Sequence, residues 1–334
     1  MITTYSINDL DIPSSPEDWL QQLPGPVVIE IPGQDPSRWR VVSTLVHGNE
    51  PSGFLAAHRY LVEQRTPATN VAITIASVNA ARFETMHRHR FMPGEFDLNR
   101  RFGYLKFNDP VTELAHQLTE YIREKCPTAV VDMHNTSGRS PAFAVSISEH
   151  PKVLKLASLF TSHMIITQLN VGALMEQNFN CPVVTIECGG SNEPASHLIA
   201  YDGLKTFLES EAISEIETHP VRLHRHPVRV TAQNETTLAY ADSPLDNVDI
   251  TLKNSIEDLN FNGIAKGDCI GWLKRPLHNC LEAIGDEGKD CLSLFFKEED
   301  SKIIALDDLS CFMATQRIDI ALSDCLFYLL REYR

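Results

Sequence analysis

Residues 40–64, RVVSTLVHGNEPSGFLAAHRYLVEQ, join a run rich in β-branched residues to an amphipathic segment through a short polar turn. The run Arg40–Val46 predicts a buried strand, and the proline of Pro51–Gln64 suits the first position of a helix. His47 and Glu50 fall in the turn, at the carboxyl end of the strand. Because ligands of α/β sheets bind at this edge, the two side chains are candidates for a functional site.

The same alternation of strand and helix continues on both sides of this stretch. Short apolar runs predict further strands at Val27–Ile31, Val71–Val78, Ala129–Met133, Ala142–Ile147 and Val183–Ile186. Amphipathic patterns predict helices at Asp109–Lys125, Pro151–His163 and Pro194–Ser210. Strands that alternate with helices predict an α/β fold in which helices cover both faces of a sheet.

The pattern changes near Ser214. An acidic, turn-rich stretch at 214–220 is followed by short strands and turns, with a helical pattern only after Ile318. We therefore predict two domains, an α/β domain over residues 1–215 and a β-rich domain over residues 216–334.

Composition excludes several classes of partner. The chain has 334 residues, with 29 Lys and Arg against 44 Asp and Glu, a formal net charge of −15. This balance disfavours nucleic acid and anionic membranes, since both require a basic surface. Residues 1–15 hold no basic stretch followed by an apolar run, so we expect no signal peptide. No apolar run has membrane-spanning length, and the eight cysteines include no C-x-x-C pair. We expect a cytoplasmic protein with reduced thiols.

A second candidate ligand follows another predicted strand. The stretch AVVDMHNTSG at 129–138 places His134 at the end of an apolar run, with Asp132 two residues earlier on the same side. Two imidazoles and one carboxylate are a ligand set of catalytic zinc, and Asp132 could orient the imidazole. A hydrogen-bonded pair of His134 and Asp132 without a metal is the alternative.

A third strand, in VVTIECGG at 183–190, ends at Glu187 before a glycine turn. A carboxylate beside a core strand is costly unless it is paired or used in chemistry. Next to an activated water it would serve as a general base. A salt-bridged strand end is the alternative.

Residues 82–102, RFETMHRHRFMPGEFDLNRRF, are too polar and broken for a strand or a long helix. Guanidinium groups bind carboxylates with two hydrogen bonds, so an arginine-rich loop suits an anionic substrate. The alternative is a solvated loop whose charges pair among themselves. His87 and His89 could approach the site, but we expect both to face solvent. The segment contains five arginines, Arg82, Arg88, Arg90, Arg100 and Arg101.

Together the motifs resemble one family. H-G-N-E at 47–50, D-L-N-R-R-F at 97–102, D-M-H-N-T at 132–136 and I-E-C-G at 186–189 occur in the order typical of the succinylglutamate desuccinylase/aspartoacylase family. Its members are zinc hydrolases related to the zinc carboxypeptidases. Over residues 25–210 the resemblance implies a zinc-carboxypeptidase-like mixed sheet flanked by helices. The family also carries a smaller β-rich domain at its C-terminal end.

By position, the resemblance implies that His47, Glu50 and His134 bind one zinc ion per chain. It also implies that Glu187 is the general base, which would make residues 1–215 the catalytic domain of a zinc hydrolase.

The resemblance further implies that Asn99 and Arg100 hold a substrate carboxylate and that an arginine upstream stabilises the oxyanion. Arg90 is the nearest match if two residues are inserted, and Arg88 is the competing candidate. Gln177 stands where the aspartoacylase branch has an arginine. A neutral amide cannot grip a second carboxylate in the same way, which counts against N-acetylaspartate.

The sequence therefore predicts a zinc-dependent amidohydrolase that removes the acyl group of a small anionic N-acyl amino acid. Two alternatives remain: a zinc carboxypeptidase acting on peptides or cell-wall fragments, and a non-enzymatic binding module on the same scaffold. The acyl group and the oligomeric state are left open, with a homodimer as one arrangement.

Overall fold

The computed structural model describes residues 2–103, 108–168, 170–285 and 288–331. These residues form two compact units. The first unit contains most of the chain up to Leu223. The second contains the residues from His224 onward together with two short segments that begin at Thr136 and Thr167.

The first unit is organised around a nine-stranded mixed sheet, with strand order β1-β2-β4-β3-β5-β8-β6-β7-β9. Strand β3 is parallel to both β4 and β5, whereas β6 runs antiparallel to β8. Every residue of β4, β5 and β8 is buried, as expected for strands covered on both faces. The strands are β1 Thr3–Ser6, β2 Val27–Ile31, β3 Asp35–Thr44, β4 Thr69–Ile75, β5 Ala129–Thr136, β6 Phe143–Ser146, β7 His163–Ile166, β8 Val183–Gly190 and β9 Arg222–Arg225.

Helices cover both faces of this sheet. Along β4, Ile73 packs in one hydrophobic cluster with residues of α2 and α6. The β4 side chains that point to the other face of the sheet pack in a second cluster with residues of α4. Helix α4 begins where the Asp109 carboxylate accepts the N–H groups of Val111 and Thr112. The helices are α1 Pro16–Gln22, α2 Ser52–Val62, α3 Val78–Arg82, α4 Pro110–Glu124, α5 Pro151–Ala157 and α6 Pro194–Glu209. Short 3-10 helices lie at Ile7–Asp9, Leu98–Arg100, Leu174–Glu176 and Ile213–Glu215.

The second unit is mostly β structure. Its sheets have strand orders β14-β10-β18-β17 and β11-β12-β13-β16-β15, and they share one hydrophobic cluster that includes Phe296 and Phe327. Its strands are β10 Val228–Ala232, β11 Leu238–Tyr240, β12 Ile250–Leu252, β13 Cys269–Leu273, β14 Leu281–Ile284, β15 Phe296–Glu299, β16 Lys302–Ala305, β17 Leu309–Phe312 and β18 Phe327–Arg331. Its helices are α7 Leu277–Cys280 and α8 Ile318–Ser323, with 3-10 helices at Asn254–Leu259 and Leu292–Leu294.

The predicted α/β class with a mixed sheet and further β structure is confirmed. Two element predictions were wrong in that the predicted range extends into the next element of the structure. The helix predicted to reach His163 ends at Ala157, and His163 begins β7, which pairs with β6. The strand predicted to reach Val78 ends at Ile75, and Val78 begins α3.

All eight cysteines lie in the described part of the chain and none forms a disulfide. Within the same residues, every helix is too short or too polar to cross a bilayer.

Candidate metal centre and active site

The turn after β3 brings His47 and Glu50 together. The His47 Nδ1 and Glu50 Oε1 atoms are 2.8 Å apart, and both side chains are buried. Gly48 makes this turn possible, because a Cβ added there would lie 2.5 Å from the backbone nitrogen of Ala81. The Gly48 N–H donates to the Arg90 carbonyl at 2.9 Å, which joins the turn to the arginine-rich loop.

Glu50 lies between two imidazoles. Its Oε2 atom is 2.7 Å from Nδ1 of His134, whose strand β5 is adjacent to β3 in the sheet. The ligand atoms of His47, Glu50 and His134 all lie within 4.8 Å of one another. Two imidazole nitrogens and one carboxylate, all buried, suit a divalent transition metal such as zinc.

In each of the two imidazoles, the nitrogen that does not face Glu50 is hydrogen-bonded to another carboxylate. His134 Nε2 is 2.8 Å from Asp132 Oδ2, and His47 Nε2 is 3.0 Å from Asp97 Oδ1. A hydrogen bond at Nε2 places the ring proton there, so that Nδ1 is left with a lone pair for a metal. The residues present therefore fit a zinc ion.

The charged groups of this cluster strongly shift one another's pKa values. Burial raises the pKa of Glu50, but the charges of His47 and His134 outweigh it and hold this pKa well below its usual range. Burial lowers the pKa of His134, but Asp132 and Glu50 outweigh it and raise this pKa well above its usual value. Coulomb interactions inside a low-dielectric site account for both directions.

Glu187 lies on β8, the neighbour of β5 on its other side. Thr185, which shares a face of β8 with Glu187, lies 3.5 Å from Asp132, so Glu187 faces the side of the sheet that holds His134. Burial, and then the charge of Glu50, raise the pKa of Glu187 to about 7. Its Oε2 atom is buried and has no hydrogen-bond partner in the described part of the chain.

Arg90 reaches the same cluster from the arginine-rich loop. Its Nε donates to Asp97 Oδ2 at 2.9 Å, and its Nη1 donates to Glu50 Oε1 at 3.2 Å. Arg88, the competing candidate, is exposed. The structure therefore brings Arg90 next to the predicted ligands and leaves Arg88 at the surface.

Asn99 and Arg100 lie in the 3-10 helix Leu98–Arg100, which begins where the Asp97 carboxylate accepts the Asn99 N–H. Asn99 is buried, and its Oδ1 accepts the backbone N–H of Leu174 at 3.0 Å. The amide NH₂ group is the part of this side chain that can donate to a carboxylate. Burial raises the pKa of Asp97, but His47, Arg90 and, to a smaller extent, Arg100 outweigh it and lower this pKa.

Two residues of this site were missed by sequence reasoning, although both stand inside quoted motifs. Asp97 begins D-L-N-R and contacts both His47 and Arg90. Asn135 follows His134, and its Nδ2 donates to Ser52 Oγ and to the Gly189 carbonyl. Both are hydrogen-bonding residues inside the quoted motifs, which was the available signal, but the sequence alone does not reveal which groups they contact.

His87 was predicted to face solvent, and this was wrong. Its side chain is half-buried, and its Nδ1 lies 2.9 Å from the Gly48 carbonyl. Burial lowers the pKa of His87. The ring therefore supports the turn that carries His47.

The mixed central sheet of the first unit and the further β structure form a fold that is shared with solved structures of the succinylglutamate desuccinylase/aspartoacylase family. The resemblance inferred from the four motifs is thus confirmed at the level of the fold. No family model matches the sequence, and no curated protein is significantly similar to it.

Particular solved structures make the likeness concrete. Succinylglutamate desuccinylase from Vibrio cholerae superimposes with a TM-score of 0.59 at 13% identity, covering 97% of each chain. The enzyme of the same name from Vibrio parahaemolyticus gives 0.57 at 16% identity over 92% of this chain and 86% of that one. A succinylglutamate desuccinylase/aspartoacylase from Rhodobacter sphaeroides gives 0.53 at 15% identity over 87% and 83%.

Proposed function

We propose that this protein is a zinc-dependent amidohydrolase that removes the acyl group of a small anionic N-acyl amino acid. The observation that carries the proposal is the buried cluster of His47, Glu50 and His134, with a carboxylate on the far nitrogen of each imidazole. The shared fold of desuccinylase structures supports the same reaction class.

His47, Glu50 and His134 would hold the zinc ion. When bound there, zinc would polarise a carbonyl group and lower the pKa of water. Asp97 and Asp132 keep the two imidazoles in the tautomer and orientation that ligation requires.

Glu187 would serve as the general acid–base of this reaction. The buried Glu187 carboxylate would take a proton from the attacking water and return it to the departing amine. Its Oε2 atom, which has no partner among the described residues, can accept that proton.

The reaction has two anionic groups to bind, the carboxylate of the amino acid and the oxyanion of the intermediate. We assign them to Arg90, Arg100 and Asn99. Arg90 already contacts Glu50, so its guanidinium is close enough to stabilise the oxyanion formed at the attacked carbonyl. Arg100 and Asn99 bind the carboxylate of the amino acid and thereby fix the amide bond for attack. Net charge sets the long-range field, so a chain of charge −15 can still contain a cationic site.

The test compares the protein with Glu187→Gln and with a surface control, Glu209→Gln, whose carboxylate pairs with Arg65. Zinc is measured by elemental analysis, and amine release is measured from acetyl, succinyl and formyl amino acids. We expect Glu187→Gln to lower turnover by about 10²–10⁴-fold with zinc retained, and Glu209→Gln to leave both unchanged. Near-normal turnover in Glu187→Gln would refute the assignment.

The same ligands and the Asn99–Arg100 pair would serve a carboxypeptidase, which remains the second candidate. Dipeptides with a free C-terminus are therefore included in the screen. Release of the C-terminal residue, without cleavage of any acyl amino acid, would favour that activity.

A further inference from the structure

A cavity of about 560 Å³ lies in the first unit, at the ends of β5 and β8 where these strands begin. Ala129, the first residue of β5, and Pro182, which precedes β8, both line it. His134 lies five residues further along β5, which at about 3.3 Å per residue places it about 16 Å from Ala129. The cavity is therefore separate from the candidate metal centre.

The cavity combines apolar walls with basic side chains. Ala129, Leu156 and Ile213 belong to its apolar lining. Its basic side chains are Arg38, Arg40, Lys152 and Lys155, and the carboxylate of Glu211 also lines it. This excess of positive charge occurs in a chain whose net charge is −15.

Arg40 is a buried cation that has no carboxylate partner among the described residues. It is 2% exposed, and its guanidinium donates to the carbonyl oxygens of Phe207, Ser210 and Glu211. Carbonyl groups satisfy N–H donors but carry no net charge. Its Nε has no hydrogen-bond partner in the described part of the chain. Burial, and then the nearby Arg38, lower the pKa of Arg40 to about 10, as expected for a cation without a counter-ion.

The two lysines of the cavity also lack a negatively charged partner among the described residues. Lys155 Nζ donates to the Ile216 carbonyl and to Thr218 Oγ1, which are neutral groups. Over the described ranges, neither Lys152 nor Lys155 forms an ion pair with a carboxylate. Arg38 differs from them, because its Nε donates to Asp35.

We propose that this cavity binds a small organic anion with two or more negative charges, carried by carboxylate or phosphate groups. Buried charges in proteins are normally paired, and an anion would supply the missing partner for Arg40, while the two lysines at the same cavity would bind its other negative groups. The volume is far larger than one inorganic ion needs, and apolar walls with a few convergent polar groups are typical of sites for small organic ligands. The proposal does not depend on the hydrolase assignment.

The probes are citrate and inorganic phosphate, titrated calorimetrically into the full-length protein at low ionic strength. The variants are Lys152→Gln and Lys155→Gln, with Lys297→Gln as a control, since Lys297 pairs with Glu299 in the second unit. We expect citrate to bind more tightly than phosphate. Both cavity variants should weaken citrate binding by about tenfold or more, and the control should not change it.

A fourth variant, Arg100→Gln, separates this cavity from the candidate active site, which also attracts anions. Citrate binding that persists in Arg100→Gln and falls in Lys152→Gln supports the proposal. Tighter binding of phosphate than of citrate, with the same response to the two lysine variants, would assign the cavity to phosphate compounds and also support it. Citrate binding that is absent, or that is lost only in Arg100→Gln, would overturn it. Thermal unfolding of each variant is compared with the parent, and Lys152 is exposed, so its replacement leaves the fold intact.

Discussion

Glu187→Gln should change how the stability of the metal-free protein depends on pH. Burial and the charge of Glu50 raise the pKa of Glu187 from its ordinary value of 4.5 to about 7 in the folded protein. The folded state therefore holds the Glu187 proton more tightly than the unfolded state does. The stabilisation from this proton is fully present below pH 4.5, and it is lost as pH rises through about 7.

The size of the effect follows from the shift. A difference of about 2.5 pKa units corresponds to about 3 kcal/mol, since one unit is 1.36 kcal/mol. Glutamine has nearly the same shape and does not titrate. Relative to Glu187→Gln, the parent protein should lose about 3 kcal/mol of unfolding free energy between pH 4.5 and pH 8.

The assay is urea unfolding of chelator-treated protein across this pH range, followed by tryptophan fluorescence, for which Trp19 is a buried reporter in the first unit. Glu209→Gln serves as a control, because its side chain pairs at the surface with Arg65. A difference between parent and Glu187→Gln that stays constant from pH 5 to pH 8, or that changes in the opposite direction, would refute the reasoning.

Two further predictions concern the metal centre. Asp132→Asn should weaken zinc binding by about 10–100-fold, because His134 loses its charged partner. Competition with a chromophoric chelator measures the affinity for zinc, and the control Asp202→Asn, at an exposed position, should leave it unchanged. Gly48→Ala should destabilise the protein by about 1–3 kcal/mol, because the new Cβ would lie 2.5 Å from backbone; urea unfolding measures this. The control Gly285→Ala should be nearly neutral, since its Cβ would meet Val228 at an ordinary 3.6 Å and no other described residue within 4 Å.

The candidate site could be predicted from the sequence where it depends on position along a strand. His47, His134 and Glu187 each end or follow an apolar run, and parallel and neighbouring strands bring such ends to one edge. The class of fold was predicted for the same reason. Periodicity of apolar residues is a local property, and the central strands are buried over their full length.

What the sequence could not predict depends on partners far along the chain. The contact between His47 and Asp97 joins residues 50 positions apart, through a loop without periodicity. The pocket around Arg40 is likewise formed by residues of strand, helix and 3-10 elements that only the folded chain brings together. The helix predicted to reach His163 was wrong because its pattern continues past Ala157, where pairing with β6 favours a strand instead.

The contact between Glu50 and His134 spans 84 residues of chain. An ion held by both would act as a reversible cross-link, and closing so long a loop reduces the conformational entropy of any state in which β3 and β5 have separated. Removal of the ion would therefore loosen the sheet first at the carboxyl ends of these two strands. Amide hydrogen exchange would be fastest there, while the far ends of the same strands would stay protected.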